Sequence, residues 1–179
     1  MTTYKHHDTK IELTKGDIVK QSDMDAVVNA ANAMLMPGGG VAGAIHRAAG
    51  PELAEECRDK APIKPGQAVV SGGHKLPNPW VIHCLGPVYG HDEPSDKLLA
   101  DCYRNALQVA RENGITSVAF PAISTGAFGY PVKEAADVTA TAIVAALTEN
   151  DTIQQIRFVL FDDNLLDVFQ QAFDQALGR

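Results

Sequence analysis

Short apolar runs alternate with amphipathic segments along this chain, which predicts strands and helices in turn. Six strands are predicted where Gly, Pro or polar residues bound an apolar run, around 11–13 and at 26–28, 67–71, 80–84, 117–121 and 156–161. Five helices are predicted by helical spacing and by start and stop residues, at 43–49, 51–60, 96–113, 131–148 and 163–177. Ser95 and Asp163 are expected to cap two of them. This alternation predicts an α/β fold, a three-layer α/β/α sandwich around a mixed, mostly parallel central sheet.

The polar segment after the strand at 26–28 carries the first candidate site. Asn29 and Asn32 each have an amide that both donates and accepts. The glycine triplet 38–40 comes next, before a helix start near Gly43. Glycine lets backbone N–H groups approach a ligand closely, and a helix N-terminus supplies free N–H groups and the positive end of a dipole. Amides beside a glycine loop therefore predict a ligand with both sugar hydroxyls and phosphates.

A second loop repeats this arrangement further along the chain. The strand at 117–121 runs into small polar residues and glycines at 122–131, and a helix follows. Two such loops at the ends of strands can clamp one diphosphate between their N–H groups. Neither loop contains Lys or Arg, so backbone dipoles must meet the phosphate charge.

Composition limits the classes of partner. The chain has 179 residues, of which 45% are hydrophobic and 21% charged, as expected for one ordinary domain. The net charge of −7 argues against duplex nucleic acid, which needs a surplus of Lys and Arg. The three cysteines show no Cys-x-x-Cys spacing, so we expect reduced thiols and a cytoplasmic location. No membrane-length apolar run and no signal-peptide core are present, and residues 1–9 are expected to be a mobile tail before one domain at 10–179.

These motifs together resemble a known family. The segments at 29–32, 38–41 and 124–130, supported by 16–18 and 81–83, follow the order found in macrodomains, which are ADP-ribose-binding α/β/α modules. The resemblance extends over nearly the whole chain and is strongest to the branch that removes ADP-ribose from proteins and deacetylates O-acetyl-ADP-ribose. It implies no metal and no organic cofactor. It implies ADP-ribose, its O-acetyl ester and mono-ADP-ribosylated proteins as partners of a monomer.

The resemblance also implies roles for individual side chains. Asp17 matches a carboxylate that contacts adenine, and Phe161 matches an aromatic ring that stacks on it. The alternatives are a helix-capping aspartate after a strand for Asp17 and a core phenylalanine for Phe161. Asn32, His46 and Phe128 match residues around the distal ribose and are the expected catalytic residues, although a lone histidine early in a helix is more often structural. The expected ligand contacts are Asp17, Ile18, Asn32, Gly38, Gly39, Gly40, Val41, Gly43, Ser124, Thr125, Gly126, Ala127, Phe128 and Phe161.

One position departs from the hydrolase branch. That branch usually reads Val-Asp-Gly after the glycine triplet, whereas this chain has Val41, Ala42 and Gly43. The missing carboxylate positions or activates the attacking water in that branch, and alanine can do neither. The resemblance therefore implies hydrolysis in which the phosphate of the substrate polarises the water. The alternative is a reader module that binds ADP-ribose without chemistry.

Two other interpretations of the motifs are weaker. The glycines at 38–43 also satisfy Gly-x-Gly-x-x-Gly, the fingerprint of dinucleotide-binding enzymes. That fingerprint follows its strand directly, with an acidic residue ending another strand about 20 residues later. Here residues 33–37 intervene, and the nearby acidic residues are predicted on a helix. A metal site built from His74, His83, Cys84 and His91 lacks ligand-pair spacing, and His83 is expected within a strand.

Overall fold

Seven strands form one sheet, and five helices cover its faces in a computed structural model that describes residues 1–179. The strands are β1 (Thr2–His6), β2 (Thr9–Lys15), β3 (Ala26–Ala30), β4 (Ala68–Gly72), β5 (Trp80–Cys84), β6 (Ser117–Phe120) and β7 (Gln155–Leu160). The helices are α1 (Gly40–Ala49), α2 (Glu52–Cys57), α3 (Ser95–Glu112), α4 (Val132–Ala146) and α5 (Asp163–Ala176). No helix is both long enough and apolar enough to span a membrane.

The sheet has the strand order β1-β2-β7-β6-β3-β5-β4. The two outermost pairs, β1 with β2 and β4 with β5, are antiparallel, and all inner pairs are parallel. The predicted three-layer sandwich with a mixed, mostly parallel sheet is therefore confirmed. Parallel inner strands need crossover connections, and helices supply them on both faces of the sheet.

The inner strands are apolar on both faces because helices cover both. In β3, Val28 packs into the larger core with α3, α4 and α5, whereas Val27 packs into the smaller core with α1 and α2. In β7, Phe158 and Val159 divide between the two cores in the same way. A strand buried on both sides reads as a continuous apolar run, which is why these elements were predictable from the sequence.

The first nine residues differ from the expectation of a mobile tail. Thr2–His6 form the edge strand β1, paired antiparallel with β2. Tyr4 is only 3% exposed, its ring stacks on Phe173 of α5 at 6.0 Å, and its hydroxyl donates to Asp174 at 2.7 Å. The sequence did not predict this strand because only one of its side chains is buried. One buried residue does not produce the alternation of apolar and polar positions that is typical of a strand.

Both expected helix caps are shifted by one residue. Pro94 precedes α3, and Ser95 is its first residue, with a hydroxyl that donates to the carbonyl of Asp92 at 2.6 Å. At α5 the carboxylate of Asp162, not Asp163, accepts the N–H of Leu165 at 2.9 Å. At α5 the two adjacent aspartates have the same capping chemistry, so the sequence could not decide between them. At α3 the hydroxyl of Ser95 bonds back to Asp92, and no side chain caps the helix.

Phe158 and Phe161 lie close together in sequence but differ in burial, so they should differ in their contribution to stability. Phe158 is fully buried among Phe120, Phe169 and Phe173, whereas Phe161 is 84% exposed. Phe158→Ala should lower the free energy of unfolding by about 3–5 kcal/mol, because it leaves a cavity in the larger core. Phe161→Ala should change it by less than about 0.5 kcal/mol. Denaturant unfolding measures both, and equal losses would contradict this packing.

Candidate functional site

A cavity of about 750 Å³ lies at the carboxyl ends of four neighbouring parallel strands. Its walls come from the segments that follow β2, β7 and β6, together with the starts of α1, α4 and α5, and α1 is the helix that follows β3. Ligands of open α/β sheets bind at this edge of the sheet, and the volume is in the range of small-molecule sites. The cavity is thus the candidate binding site.

The first glycine loop brings the N-terminus of α1 to the cavity. Gly40 has a φ of +55°, a backbone conformation that favours glycine, and Gly40 and Val41 line the cavity. The first N–H with an acceptor at this end belongs to Gly43, which donates to the carbonyl of Gly39 at 3.2 Å. The three preceding N–H groups are therefore free, and no side chain caps this helix or places a carboxylate in its first turn. These groups can meet an anion.

Gly43 has a packing role in this loop. It is buried, and a methyl group at this position would collide with the carbonyl oxygen of Gly38. Glycine is thus required so that the loop can fold back against α1. Gly43 does not line the cavity, and its contact with a ligand stays a prediction.

The second glycine loop approaches the same cavity from β6. Ser124 is buried with a φ of +69°, and its hydroxyl donates to the carbonyl of Pro87 at 2.8 Å. Ser124 also accepts the N–H of Tyr130 at 2.9 Å, so it holds both ends of the loop. The N–H groups of residues 126–128 have no acceptor within the protein. Thr125 and Gly126 line the cavity, where this loop can present donors to an anion.

The far end of the cavity is formed by Asp17, Ile18 and Phe161. One carboxylate oxygen of Asp17 accepts the N–H of Val19 at 3.1 Å, which fixes the side chain and leaves its other oxygen exposed. Phe161 is the most exposed large apolar side chain of the chain, so its ring is not part of the core. An exposed ring and an exposed carboxylate at one opening suit a flat base with an exocyclic amine.

A chain of hydrogen bonds sets the position of Asp17. The amide of Gln21 donates to the carbonyl of Asp17 at 2.8 Å and accepts from Arg157 of β7 at 2.9 Å. Arg157 in turn pairs with Asp23 at 2.8 Å and with Glu12 at 3.3 Å. The loop after β2 is thereby tied to the neighbouring strand by a guanidinium that is itself paired.

The two asparagines of the first loop have different partners. Asn32 lies half-buried, and its amide group forms two hydrogen bonds with Met36, donating to the carbonyl at 2.8 Å and accepting from the N–H at 3.0 Å. One N–H and one lone pair of this amide remain available. Asn29 is buried and donates to the ring of His83 at 3.1 Å. Asn29 therefore braces the structure below the loop, and Asn32 shapes the loop itself.

His46 lies on α1 one turn after Ala42. It is only 6% exposed, neither ring nitrogen has a hydrogen-bond partner, and the residue does not line the cavity. Burial lowers the pKa of this imidazole. It is therefore neutral at neutral pH, with a free lone pair and a free N–H behind the first glycine loop.

His83 is the centre of a buried polar cluster under the same loop. Because Asn29 donates to Nδ1, the proton of the neutral ring is on Nε2, which donates to the hydroxyl of Ser71 at 2.9 Å. The thiol of Cys57 lies 3.5 Å from Nε2. Burial, with smaller effects of His46 and Lys60, lowers the pKa of His83 to about 3. His83 lies within β5, as the sequence predicted, and acts as a structural group.

The cavity unites half of the predicted contacts and leaves the others beside it. The predicted residues that line it are Asp17, Ile18, Gly40, Val41, Thr125, Gly126 and Phe161. Those that do not are Asn32, Gly38, Gly39, Gly43, Ser124, Ala127 and Phe128. The half-buried ring of Phe128 packs against the smaller core.

Sequence reasoning missed Asp162, Asn164 and Leu165, which line the cavity at the start of α5. These residues come after β7, just as the first glycine loop comes after β3. Polar residues after a strand were the signal that marked the first loop, and the same signal was present here. Their role as a helix start hid this signal.

Only backbone groups can provide positive electrostatic potential in the cavity. None of the residues lining it is Lys, Arg or His, and its charged side chains are the carboxylates Asp17 and Asp162. A bound diphosphate would thus be held by N–H groups and by the N-terminus of α1. No group of three or more His, Cys, Asp or Glu side chains is placed to hold a metal ion.

Comparison with known proteins gives a consistent match. The family model described as Macro domain matches residues 28–139. An O-acetyl-ADP-ribose deacetylase of Citrobacter rodentium is 44% identical over 172 residues, which cover 93% of this chain and 97% of that protein. The ADP-ribose glycohydrolase MACROD2 of Xenopus laevis is 47% identical over 173 residues, which cover 95% of this chain and 41% of that protein.

A solved structure extends the match to the fold. The macrodomain of Oceanobacillus iheyensis with ADP has a TM-score of 0.93 at 34% sequence identity, covering 99% of this chain and 96% of that chain. The likeness therefore extends over nearly the whole fold.

The buried His83 predicts a loss of stability in mild acid. Its pKa of about 3 in the folded chain compares with about 6.5 in an unfolded one. Between these values the unfolded chain binds one more proton, so the free energy of unfolding falls by ~1.4 kcal/mol per pH unit as the pH decreases. Denaturant unfolding at about pH 7 and about pH 5 measures this loss. His83→Gln should remove about 2 kcal/mol of the difference, and a variant that keeps the whole difference would contradict this assignment.

Proposed function

Because this chain belongs to the macrodomain family, we propose that it binds ADP-ribose and hydrolyses an ester at the distal ribose of its ligand. The substrates would be mono-ADP-ribosyl esters on acidic side chains of proteins and O-acetyl-ADP-ribose. The observation that carries the proposal is the convergence of two loops with free N–H groups on one cavity that contains no cationic side chain. Such a site selects a diphosphate by geometry.

The ligand would lie across the edge of the sheet. Adenine would stack on Phe161 and donate its exocyclic amine to Asp17, since both lie at the same end of the cavity. The diphosphate would accept from the N–H groups of the two glycine loops. The distal ribose would then reach Asn32 and Phe128, which lie beyond the cavity wall on the first and second loops.

Hydrolysis would proceed without a carboxylate from the first loop. Ala42 stands on the first turn of α1, where the N–H groups are free, and its methyl group cannot accept a proton from water. A phosphate oxygen of the substrate would polarise the water, and Asn32 and Phe128 would orient the ribose for attack. His46 would contribute a neutral imidazole behind the loop. The names of the deacetylase and glycohydrolase relatives support hydrolysis in general.

A second function deserves a test because Ala42 favours it. A reader module would use the same cavity to hold ADP-ribose on a modified protein and would leave the ester intact. The two functions share every contact at the adenine and diphosphate ends. They differ only in whether a water is activated at the distal ribose, so binding alone does not separate them.

The expected setting of this activity is the cytoplasm, with the chain acting as a monomer. All three cysteines are buried and unpaired as free thiols, which is consistent with a reducing compartment. The partners would be ADP-ribosylated proteins and free O-acetyl-ADP-ribose. Duplex nucleic acid is not expected as a partner, since the net charge is −7.

Binding tests the cavity directly. ADP-ribose should bind with a Kd in the micromolar range, about −8 kcal/mol, and AMP far more weakly because it lacks the diphosphate and the distal ribose. Asp17→Ala and Phe161→Ala should weaken ADP-ribose binding and raise KM more than they lower kcat, since both act at the end remote from the reacting bond. Calorimetry gives the affinities. Equal affinity for AMP and ADP-ribose would overturn the proposed binding mode.

Restoring the carboxylate tests catalysis. Ala42→Asp should speed release of label from a mono-ADP-ribosylated protein, because a positioned base typically contributes ~10²–10⁴-fold. The gain should be a fraction of that range, since the new charge repels the diphosphate. Asn32→Ala and Phe128→Ala should instead slow release by loosening the geometry of attack. If the native chain and Ala42→Asp both bind ADP-ribose tightly and release nothing, the reader function replaces the enzymatic one.

A further inference from the structure

A second cavity of about 520 Å³ lies between the start of α3 and the start of α4. Four carboxylate side chains line it, and they are Glu93, Asp96, Glu134 and Asp137. Only Asp137 has an ion-pair partner, the exposed Lys133 at 2.9 Å. The other three carboxylates, Glu93, Asp96 and Glu134, have no ion-pair partner, so the cavity carries a surplus of negative charge.

Two tyrosines form the aromatic part of this cavity. The rings of Tyr89 and Tyr130 have their centroids 4.8 Å apart and an interplanar angle of 56°. The hydroxyl of Tyr89 donates to Glu134 at 3.3 Å. A cation is attracted to the face of an aromatic ring as well as to carboxylates, so both components of the cavity favour the same kind of ligand.

Tyr130 supplies an independent sign of a missing partner. The residue is only 4% exposed and lines the cavity, yet its hydroxyl makes no hydrogen bond within the protein. Burial, together with Asp96, Tyr89 and two glutamates, raises the pKa of this phenol, so it remains protonated. The ring of Tyr130 is thus buried while its unpartnered hydroxyl is accessible, and such a hydroxyl can accept a hydrogen bond from a ligand N–H.

The spacing of the carboxylates points to an organic cation. No three of these side chains are close enough together to hold a metal ion. A guanidinium or an ammonium on a flexible stem can instead contact separate carboxylates and an aromatic face at once. Arginine and lysine side chains have this chemistry.

The cavity is joined to the loop that would hold the distal ribose. The N–H of Tyr89 donates to the carbonyl of Phe128 at 2.9 Å, and the N–H of Tyr130 donates to the carbonyl of Ser124 at 2.9 Å. A protein linked through the distal ribose would leave the first cavity beside Phe128. Residues that flank its modified side chain would then pass over the two tyrosines.

We propose that this tyrosine–carboxylate pocket, formed by Tyr89, Glu93, Asp96, Tyr130, Glu134 and Asp137, binds an arginine or lysine side chain that flanks the modified residue of a substrate protein. The proposal rests on the proposed function, since it assumes an ADP-ribosylated protein in the first cavity. The pocket would therefore favour substrate proteins that have arginine or lysine next to the modified residue.

Matched peptides test this preference. Two peptides carry the same ADP-ribosylated glutamate, flanked by arginines in one and by glutamines in the other. The arginine peptide should have a KM or Kd lower by roughly tenfold, because a few contacts that each change affinity two- to fivefold combine to about that factor. The preference should shrink at high salt, since the pocket is open to solvent.

Charge-removing variants locate the effect. Glu93→Gln with Glu134→Gln, and separately Tyr89→Ala, should abolish most of the preference and leave the affinity for free ADP-ribose unchanged. The matched control is Glu112→Gln with Glu149→Gln, which removes the same charge from exposed positions at the other end of α3 and after α4. Loss of the preference in this control as well would assign it to net charge and overturn the pocket.

An unmodified arginine peptide separates this proposal from the proposed function. In NMR titrations it should shift the backbone resonances of Tyr89 and Tyr130, and the glutamine peptide should not. If ADP-ribose fails to bind while these shifts occur, the proposed function fails and the cation pocket stands. If ADP-ribose binds and the arginine peptide causes no shifts and no preference, the pocket proposal is wrong.

Discussion

Parallel pairing of β2, β7, β6 and β3 forces four connecting segments to leave the sheet at the same edge, and the candidate site depends on this constraint. The strands are buried on both faces, so a shift of register by one residue would exchange the two sets of side chains between cores of different shape. The register is therefore fixed by packing. As a result, the two glycine loops, Asp17 and Phe161 are held at one opening, although 144 positions separate Asp17 from Phe161 in sequence.

The unusual backbone conformations of the two glycine loops follow from the need to hold an anion without a cationic side chain. N–H groups must point at the ligand directly, so the chain takes left-handed conformations at Gly40 and Ser124 and a close approach at Gly43. Such groups act over a short range, whereas Lys or Arg would also attract distant polyanions. If the chain holds a diphosphate as proposed, its net charge of −7 would still disfavour nucleic acid, and its selectivity would come from where the two loops meet.

The sequence predicted the three layers, the mostly parallel sheet and the two glycine loops. Buried apolar runs, and glycines directly before a helix, are local signals that can be recognised without the fold. The sequence could not predict that the amide of Asn32 bonds to Met36 or that Gly43 is required by the carbonyl of Gly38, since these are close approaches within a folded loop. It also missed β1, whose one buried side chain, Tyr4, gains its partner only when α5 packs against the sheet. Each of these differences comes from a contact that forms only in the folded chain, two of them within one loop and one between β1 and α5.

Because the first turn of α1 has no carboxylate, the proposed reaction would depend on where the phosphate of the ligand lies. With Ala42 in place of a carboxylate, the groups near a water there would be free backbone N–H donors and the neutral imidazole of His46 behind the loop. N–H donors hold a water but do not take its proton, and the ring of His46 is buried and does not line the cavity, so in the proposed mechanism the phosphate of the ligand acts as the acceptor. The position of that phosphate is set by the same N–H groups. Binding and reaction would therefore depend on one set of contacts, and any change that loosens the glycine loops would weaken both.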